Sequence, residues 1–362
     1  MSSRWLQGVL LLAGAMVAAT SGAWAQVCAP SQPQVRPAAP ATPPRSVHKP
    51  VMRPLPFTDK GVPLGAAPVA TPAPGRSGGP DPDMAYGAYQ AGRFLTAFAI
   101  ATRRVNEQAD PKAMTLLGWL YANGEGVRSD DHIAQSWYKL AADRGDREAM
   151  FELSMFRLRG RGGPRDRDAA VALLQRAASL GHVAAAYNLA LLYLGGQELT
   201  RDFAKAAALL RPAADAGSPE AEYALATLYK EGRGVPQDTA EAVKLLGTAA
   251  QAGNLDAIVE YAIALFNGAG IAKDEARAAE FFVKAARRGS PIAQDRLARI
   301  LSAGRGLPVD PVAAAKWHII SKAGGESDPS LDVFVERLSP EQRQAGEQAA
   351  KAWINHLQAP RS

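Results

Sequence analysis

A serine and a lysine three residues apart, Ser136 and Lys139 in the run Ser-Trp-Tyr-Lys, form a pair that could act as nucleophile and base. Lysine in an S-x-x-K arrangement can take the serine proton and prepare the hydroxyl for attack on a carbonyl carbon. That chemistry also needs partner motifs such as S-D-N or K-T-G further along the chain, and neither follows. The sequence therefore predicts no catalytic residue, and we expect the protein not to be an enzyme.

Residue types that bind metals or phosphate groups are dispersed along the chain. The five histidines occur without an H-x-x-x-H spacing or a nearby cysteine, so no zinc site is predicted. Several Gly-x-Gly pairs follow predicted helices rather than strands and lack the lysine of a phosphate-binding loop. We predict no metal and no cofactor. Cys28 is the only cysteine, which excludes a disulfide within the chain and leaves an intermolecular one open.

A glycine returns every 36 residues and divides most of the chain into six segments of equal length. Tandem segments of this length predict a helical array in which each unit packs on its neighbours. The six glycines are Gly145, Gly181, Gly217, Gly253, Gly289 and Gly325.

Each segment begins like a helix. The residue after each boundary is, in five of six cases, one whose side chain caps a helix N-terminus, and proline follows it in three segments. An alanine then lies four residues before a large side chain, usually leucine, which places a small and a large residue on one helical face. The capping positions are Asp110, Asp146, His182, Ser218, Asn254 and Ser290.

Each segment also predicts a turn and a second helix. A glycine ends the first helix, because glycine enters the left-handed region without a steric penalty. An aspartate then precedes the second helix in all six segments, where its carboxylate caps free N–H groups and faces the positive end of the helix dipole. The glycines are Gly124, Gly160, Gly196, Gly232, Gly268 and Gly304, and the aspartates are Asp130, Asp166, Asp202, Asp238, Asp274 and Asp310.

The run from Ala113 to Gly145, AMTLLGWLYANGEGVRSDDHIAQSWYKLAADRG, resembles a Sel1-like repeat of the tetratricopeptide superfamily. Its columns recur over residues 110–325, with local departures such as Gly163-Pro164 in the second segment. The resemblance implies an all-α fold, a right-handed α-solenoid of helix-turn-helix repeats. It also implies a protein-binding adaptor, often in a bacterial envelope, and transfers no catalytic residues. A β-lactamase-like hydrolase remains a distant alternative.

The ends of the chain predict export and a tether. Residues 1–25 contain Arg4, an apolar stretch and an Ala-Trp-Ala cleavage site, so we expect a signal peptide removed near Ala25. The apolar stretch is too short to span a membrane comfortably, and no integral span is expected after cleavage, although an uncleaved anchor is the rival interpretation. Residues 26–80 hold 14 of the 26 prolines and predict a disordered linker.

Charge is distributed unevenly between the linker and the repeats. The linker carries six basic residues against Asp59 alone, whereas residues 81–362 carry 34 basic and 34 acidic residues. The basic pI of about 9.4 therefore belongs to the linker, and no nucleic-acid partner is predicted. Residues 81–109 predict helices that cap the first repeat, and residues 326–362 predict a capping helix opened by Ser339-Pro340-Glu341-Gln342.

The partner-binding surface is predicted on the exposed side of each first helix, which lines the concave face of tetratricopeptide-like arrays. Positions two residues before and two after the leucine column form two rows, mainly apolar or aromatic from the second to the fifth segment. Such rows suit an extended segment or helix of a partner. The alternative is that several of these side chains pack between adjacent first helices. The candidate groove residues are Trp119, Phe151, Met155, Tyr187, Leu191, Tyr223, Val259, Ile263 and Arg299.

The sequence thus favours a periplasmic or secreted, non-enzymatic scaffold that binds a protein or peptide in the cell envelope through this groove. The alternative is a cell-wall-associated factor that binds peptidoglycan or its enzymes.

Overall fold

A computed structural model describes residues 84–196 and 199–358, and every regular element in these residues is an α-helix. The chain divides into two compact units, one ending at His182 and the other beginning at Val183. The predicted signal peptide, its cleavage near Ala25 and the proline-rich linker lie outside the described residues.

The first unit contains two opening helices followed by two helix-turn-helix repeats. Each helix contacts the next one along the chain, and α1 also contacts α3. Such nearest-neighbour packing is the hallmark of a repeat array. The helices are α1 Met84–Gln90, α2 Phe94–Gln108, α3 Pro111–Asn123, α4 Asp131–Asp143, α5 Arg147–Arg159 and α6 Arg167–Ser179.

The second unit contains four repeats followed by two further helices. Consecutive repeat helices again contact each other, and α16 packs on α14. The short helix α15 was not predicted from the sequence. The helices are α7 Val183–Gly195, α8 Phe203–Asp215, α9 Pro219–Glu231, α10 Thr239–Gln251, α11 Leu255–Asn267, α12 Glu275–Arg287, α13 Pro291–Ala303, α14 Pro311–Ala323, α15 Pro329–Glu336 and α16 Pro340–Gln358. The predicted all-α class of helical-repeat solenoids is confirmed.

The predicted helix caps are present in the structure. All six aspartates ahead of the second helices accept hydrogen bonds from backbone N–H groups of the following turn, as Asp238 does from Glu241 at 2.9 Å. The same is seen at five of the residues that open first helices, namely Asp110, Asp146, Ser218, Asn254 and Ser290. Each such cap contributes about 1 kcal/mol to stability. The helices therefore begin at these residues even where the residues that follow have weak helix propensity.

The second glycine of each turn lets consecutive repeats approach closely. Gly270 has φ +71°, and a Cβ at this position would lie 2.7 Å from the carbonyl oxygen of Thr239, the first residue of the preceding second helix. Gly162 in the first unit is placed in the same way against Asp131. The sequence pattern identified these glycines as helix stops, and the structure shows that they are also contact points between repeats.

Alanine-rich helix faces and a few large side chains form the core. In the first unit Trp137 and Tyr138 are fully buried, and Tyr138 packs edge-on against Phe156 at 5.2 Å between ring centres. In the second unit a continuous cluster extends from α9 to α16 and includes Phe282 and Trp317. Trp317 meets Trp353 of α16 at 5.1 Å, so the last helix covers the face of the final repeat.

None of the helices in the described residues is both long and apolar enough to cross a membrane.

Candidate partner-binding surface

The candidate groove residues lie on six first helices, three in α3 and α5 of the first unit and six in α7, α9, α11 and α13 of the second. Residues four apart on a helix share a face, so each helix presents one member of each row side by side. Their exposure differs. Leu191 and Val259 are buried, with 4% and 6% of their surface exposed, and Arg299 is exposed. The half-buried members are Trp119, Phe151, Met155, Tyr187, Tyr223 and Ile263.

In the first unit, the first row contacts the start of the following repeat. The Phe151 ring stacks on His182 with 4.8 Å between ring centres, and the Nε2 atom of His182 lies 3.0 Å from the Glu148 carboxylate. Thr115 donates a hydrogen bond of 3.1 Å to Asp146, the cap of the next first helix. Part of this row therefore joins repeats, as the packing alternative predicts.

Trp119 of the second row lies against the opening helix of the first unit. Its ring is 6.3 Å from that of Tyr86 and 6.2 Å from that of Tyr89. The indole N–H of Trp119 faces Glu152, one turn of α5 beyond Glu148. Burial raises the pKa of the Glu152 carboxyl, and the indole N–H acts in the opposite direction.

In the second unit, two tyrosines of the first row lie beside carboxylates of the next repeat. Burial, with a contribution from Glu220, raises the pKa of Tyr187 to about 12. The hydroxyl of Tyr223 donates a 3.1 Å hydrogen bond to Glu260, and Lys230 binds the other oxygen of that carboxylate at 2.8 Å. Both tyrosines stay protonated at neutral pH.

These carboxylates give the same surface an acidic character. Burial and the neighbouring Glu260 raise the pKa of Asp256. The carboxylates of Glu260 and Asp256, with a smaller contribution from Glu231, therefore act on Tyr223, and Lys230 is paired with Glu260. Thr227 and Ile263 of the second row lie half-buried on the adjacent faces of α9 and α11. The surface combines apolar contact area with negative charge.

Arg299 ends the row at the C-terminal side of the second unit. Its Nε atom lies 3.1 Å from Asp295 in the same helix and 2.7 Å from Asp328. Asp328 is only 3% exposed and caps α15. Arg299 therefore holds α15 against α13 as well as offering an exposed guanidinium. Asp328 was missed in the sequence analysis, although the pair Asp328-Pro329 is a recognisable helix start.

A set of turn arginines, Arg161, Arg233 and Arg305, was also missed. Each lies between the two glycines of a turn and contacts the first residue of the preceding second helix. Arg161 forms two hydrogen bonds to Asp131, at 2.6 and 3.0 Å. Arg305 likewise binds Glu275 with two nitrogens, and Arg233 lies over the ring of Phe203 at 5.5 Å. Their signal was visible as Gly-Arg-Gly recurring every 72 residues.

The possible catalytic pair lies on the exposed side of α4. Ser136 is exposed and donates its hydrogen bond to the main-chain carbonyl of His132 in the same helix at 2.9 Å. Lys139 is also exposed. Within the described residues, no group of three or more histidine, cysteine, aspartate or glutamate side chains is placed to hold a metal ion.

Comparisons with known proteins agree with this repeat architecture. The Sel1 repeat family model matches six consecutive segments. A Sel1 repeat protein from Oxalobacter formigenes is similar, with 26% identity and a TM-score of 0.57 over 68% of this chain and 96% of that one. The comparison with curated proteins gives no match. The matched segments are 111–146, 147–182, 183–218, 219–254, 255–290 and 291–325.

A second solved structure shows the same fold. It is a protective antigen present in uropathogenic Escherichia coli strains and displaying an SLR fold. The identity is 22% and the TM-score 0.50, over 77% of this chain and 71% of that chain.

Proposed function

Because the chain belongs to the Sel1 repeat family, whose members are scaffolds that typically mediate protein–protein interaction, we propose that it is an exported scaffold that binds a protein partner in the cell envelope. The binding surface we propose is the exposed side of the first helices. The partner is a peptide segment or helix with apolar anchors and basic residues. No residue of the chain is assigned a catalytic role.

The observation that carries this proposal is the surface of α9 and α11 in the second unit. Tyr223, Thr227 and Ile263 offer half-buried apolar contact area beside Asp256 and Glu260. Among the described residues, Lys230 is the one cation paired with these carboxylates, through Glu260. Burial and, second, the charge of Glu260 raise the pKa of Asp256, and a ligand that brings positive charge offsets the repulsion from Glu260. Apolar anchors surrounded by polar groups are the usual composition of a binding hot spot.

A photo-crosslinking amino acid placed at Thr227 tests this proposal in intact cells. A matched chain carries the same group at Lys244, an exposed position on the second helix α10 with 73% of its side chain accessible. We expect a discrete protein adduct from position 227 and none from position 244. Adducts only from position 244 would contradict the proposed surface. Retention of the purified chain on isolated murein, without a protein adduct, would favour the cell-wall alternative.

Export rests on the sequence of residues 1–25, which has the charge, apolar stretch and small-residue site of a cleavable signal. The test is the mass of the chain recovered from the periplasmic fraction. We expect a chain that begins at Gln26. Recovery of the intact chain from the cytoplasm would refute export, and recovery of an uncleaved chain from membranes would establish the anchor instead.

A further inference from the structure

Three aromatic side chains, Tyr86, Tyr89 and Trp119, form a surface at the start of the first unit that we name the N-terminal aromatic patch. The two tyrosine rings of α1 are stacked, 6.1 Å apart with 19° between their planes. Both lie about 6 Å from the indole of Trp119 in α3. Tyr86 is 40% exposed, and the other two rings are half-buried. The rings therefore present a nearly continuous aromatic face.

Carboxylates surround this patch. The hydroxyl of Tyr89 faces Glu125, and burial, with Glu125 as the second cause, raises the pKa of Tyr89 to about 12. The Oε2 atom of Glu125 is buried and accepts no hydrogen bond within the described residues. On the other side Trp119 faces Glu152, where Glu148 adds negative charge and Arg159 opposes it. The surroundings of the patch carry more negative than positive charge and favour a cationic ligand.

The chain itself contains a segment with the matching chemistry. Residues 36–45 read Arg-Pro-Ala-Ala-Pro-Ala-Thr-Pro-Pro-Arg. Pro37, Pro40 and Pro43 recur every three residues, which is the period of a polyproline II helix, so their rings would share one edge. Arg36 and Arg45 are nine residues apart and would share a neighbouring edge. Proline-rich segments of this kind bind aromatic-lined surfaces, where their conformation costs little entropy.

We propose that the N-terminal aromatic patch binds residues 36–45 of the same chain, with the prolines on the aromatic rings and the flanking arginines near the carboxylates. Between Arg45 and Met84 lie 38 residues. At random-coil dimensions a chain of that length has an average end-to-end distance of about 35 Å, which is enough to return to α1. Attachment to the same chain also supplies a high effective concentration. This inference concerns the chain's own segment and needs no external partner, although Trp119 also belongs to the candidate groove.

The full chain tests the proposal, because Cys28 is its only cysteine and lies eight residues before Arg36. A nitroxide on Cys28 broadens the NMR signals of nearby protons, and the indole N–H signals of the tryptophans serve as reporters. Trp317 in the second unit, which contains none of the patch residues, is the comparison. The Trp119 signal is assigned with Trp119→Phe.

We expect the label to remove most of the Trp119 intensity and to leave Trp317 largely unchanged. Arg36→Glu/Arg45→Glu should restore the Trp119 signal, and so should Pro37→Ala/Pro40→Ala/Pro43→Ala. Lys60→Glu/Arg76→Glu, which makes the same change of charge elsewhere in the linker, should not restore it.

Three results would overturn the proposal. An unbroadened Trp119 signal in the labelled chain would show that the segment does not reach the patch. If both charge variants restored the Trp119 signal equally, the linker would be attracted to the patch by its overall positive charge and not through residues 36–45. Broadening that requires mixing labelled chains with separate isotope-enriched chains would show that the occupant comes from a second copy.

Discussion

Consecutive repeats approach closely at Gly270. We therefore predict that replacing Gly270 by alanine lowers the stability of the fold much more than the same replacement at a glycine that also has a positive φ but has open space around it. Gly289 is that comparison, since its φ is +89° and nothing lies within 4 Å of the position a Cβ would take. Both residues belong to the second unit. Replacement of each by alanine therefore separates backbone strain from steric contact.

The expected losses follow from the two physical terms. Alanine in the left-handed region costs about 1–2 kcal/mol, part of which is offset because alanine also restricts the unfolded chain. We expect Gly289→Ala to lose about 1 kcal/mol. In Gly270→Ala the new Cβ also overlaps backbone atoms of Thr239, because it would lie 2.7 Å from the carbonyl oxygen of that residue. Thr239 cannot move away without disturbing the start of α10. Overpacking costs a further 1–3 kcal/mol or so, giving a total of about 2–4 kcal/mol.

The assay is urea unfolding of the full chain, monitored by circular dichroism. For each variant the dependence of the unfolding free energy on urea concentration is compared with that of the wild type. The midpoint of Gly270→Ala should fall well below that of Gly289→Ala. Equal losses, within about 0.5 kcal/mol, would show that the turn does not contact the preceding helix as described and would refute the explanation of the second glycine in each turn.

Three further predictions use the same unfolding assay. Arg305 and Lys273 lower the pKa of Glu275 from 4.5 to about 2, so this carboxylate stabilises the fold at neutral pH and loses its contribution as the pH falls from 4.5 to 2. The stability difference between wild type and Arg305→Ala should therefore shrink over that range, and a difference independent of pH would contradict the pairing. Asp256→Asn should raise stability at neutral pH, because burial and Glu260 raise the pKa of the Asp256 carboxyl and so disfavour its ionised form. The gain in stability should diminish under acidic conditions, where the carboxyl of the wild type is protonated. A loss of stability at neutral pH would contradict this explanation. Leu191→Ala should cost about 2–5 kcal/mol and Ile263→Ala less, because only the first is fully buried, and the reverse order would refute the assignment of Leu191 to the core.

Helix positions and boundaries in the repeats were predictable from the sequence because they depend on local chemistry. Aspartate ahead of a helix and glycine behind it act within one turn of the chain, and they recur at fixed spacing in six segments. The structure accordingly confirms the caps at Asp130 and its five counterparts. The short helix α15 escaped prediction because it stands outside the repeat and offers no column for comparison.

The binding surface was less predictable, because exposure depends on how neighbouring helices pack. Leu191 and Ile263 occupy the same column, yet one is buried and the other half-buried. Phe151 occupies the same column as Tyr223, yet it stacks on His182 whereas Tyr223 donates a hydrogen bond to Glu260. The partner-binding role of these residues stays a prediction.

The sequence by itself determined the repeat unit, its two helices and the family, since each follows from short-range preferences repeated many times. Only the tertiary structure decided which side chains of a helical face remain accessible and which ones join repeats. It also brought together Tyr89, Trp119, Glu125 and Glu152, because proximity of residues 30 or more positions apart arises from packing between helices rather than from any single helix.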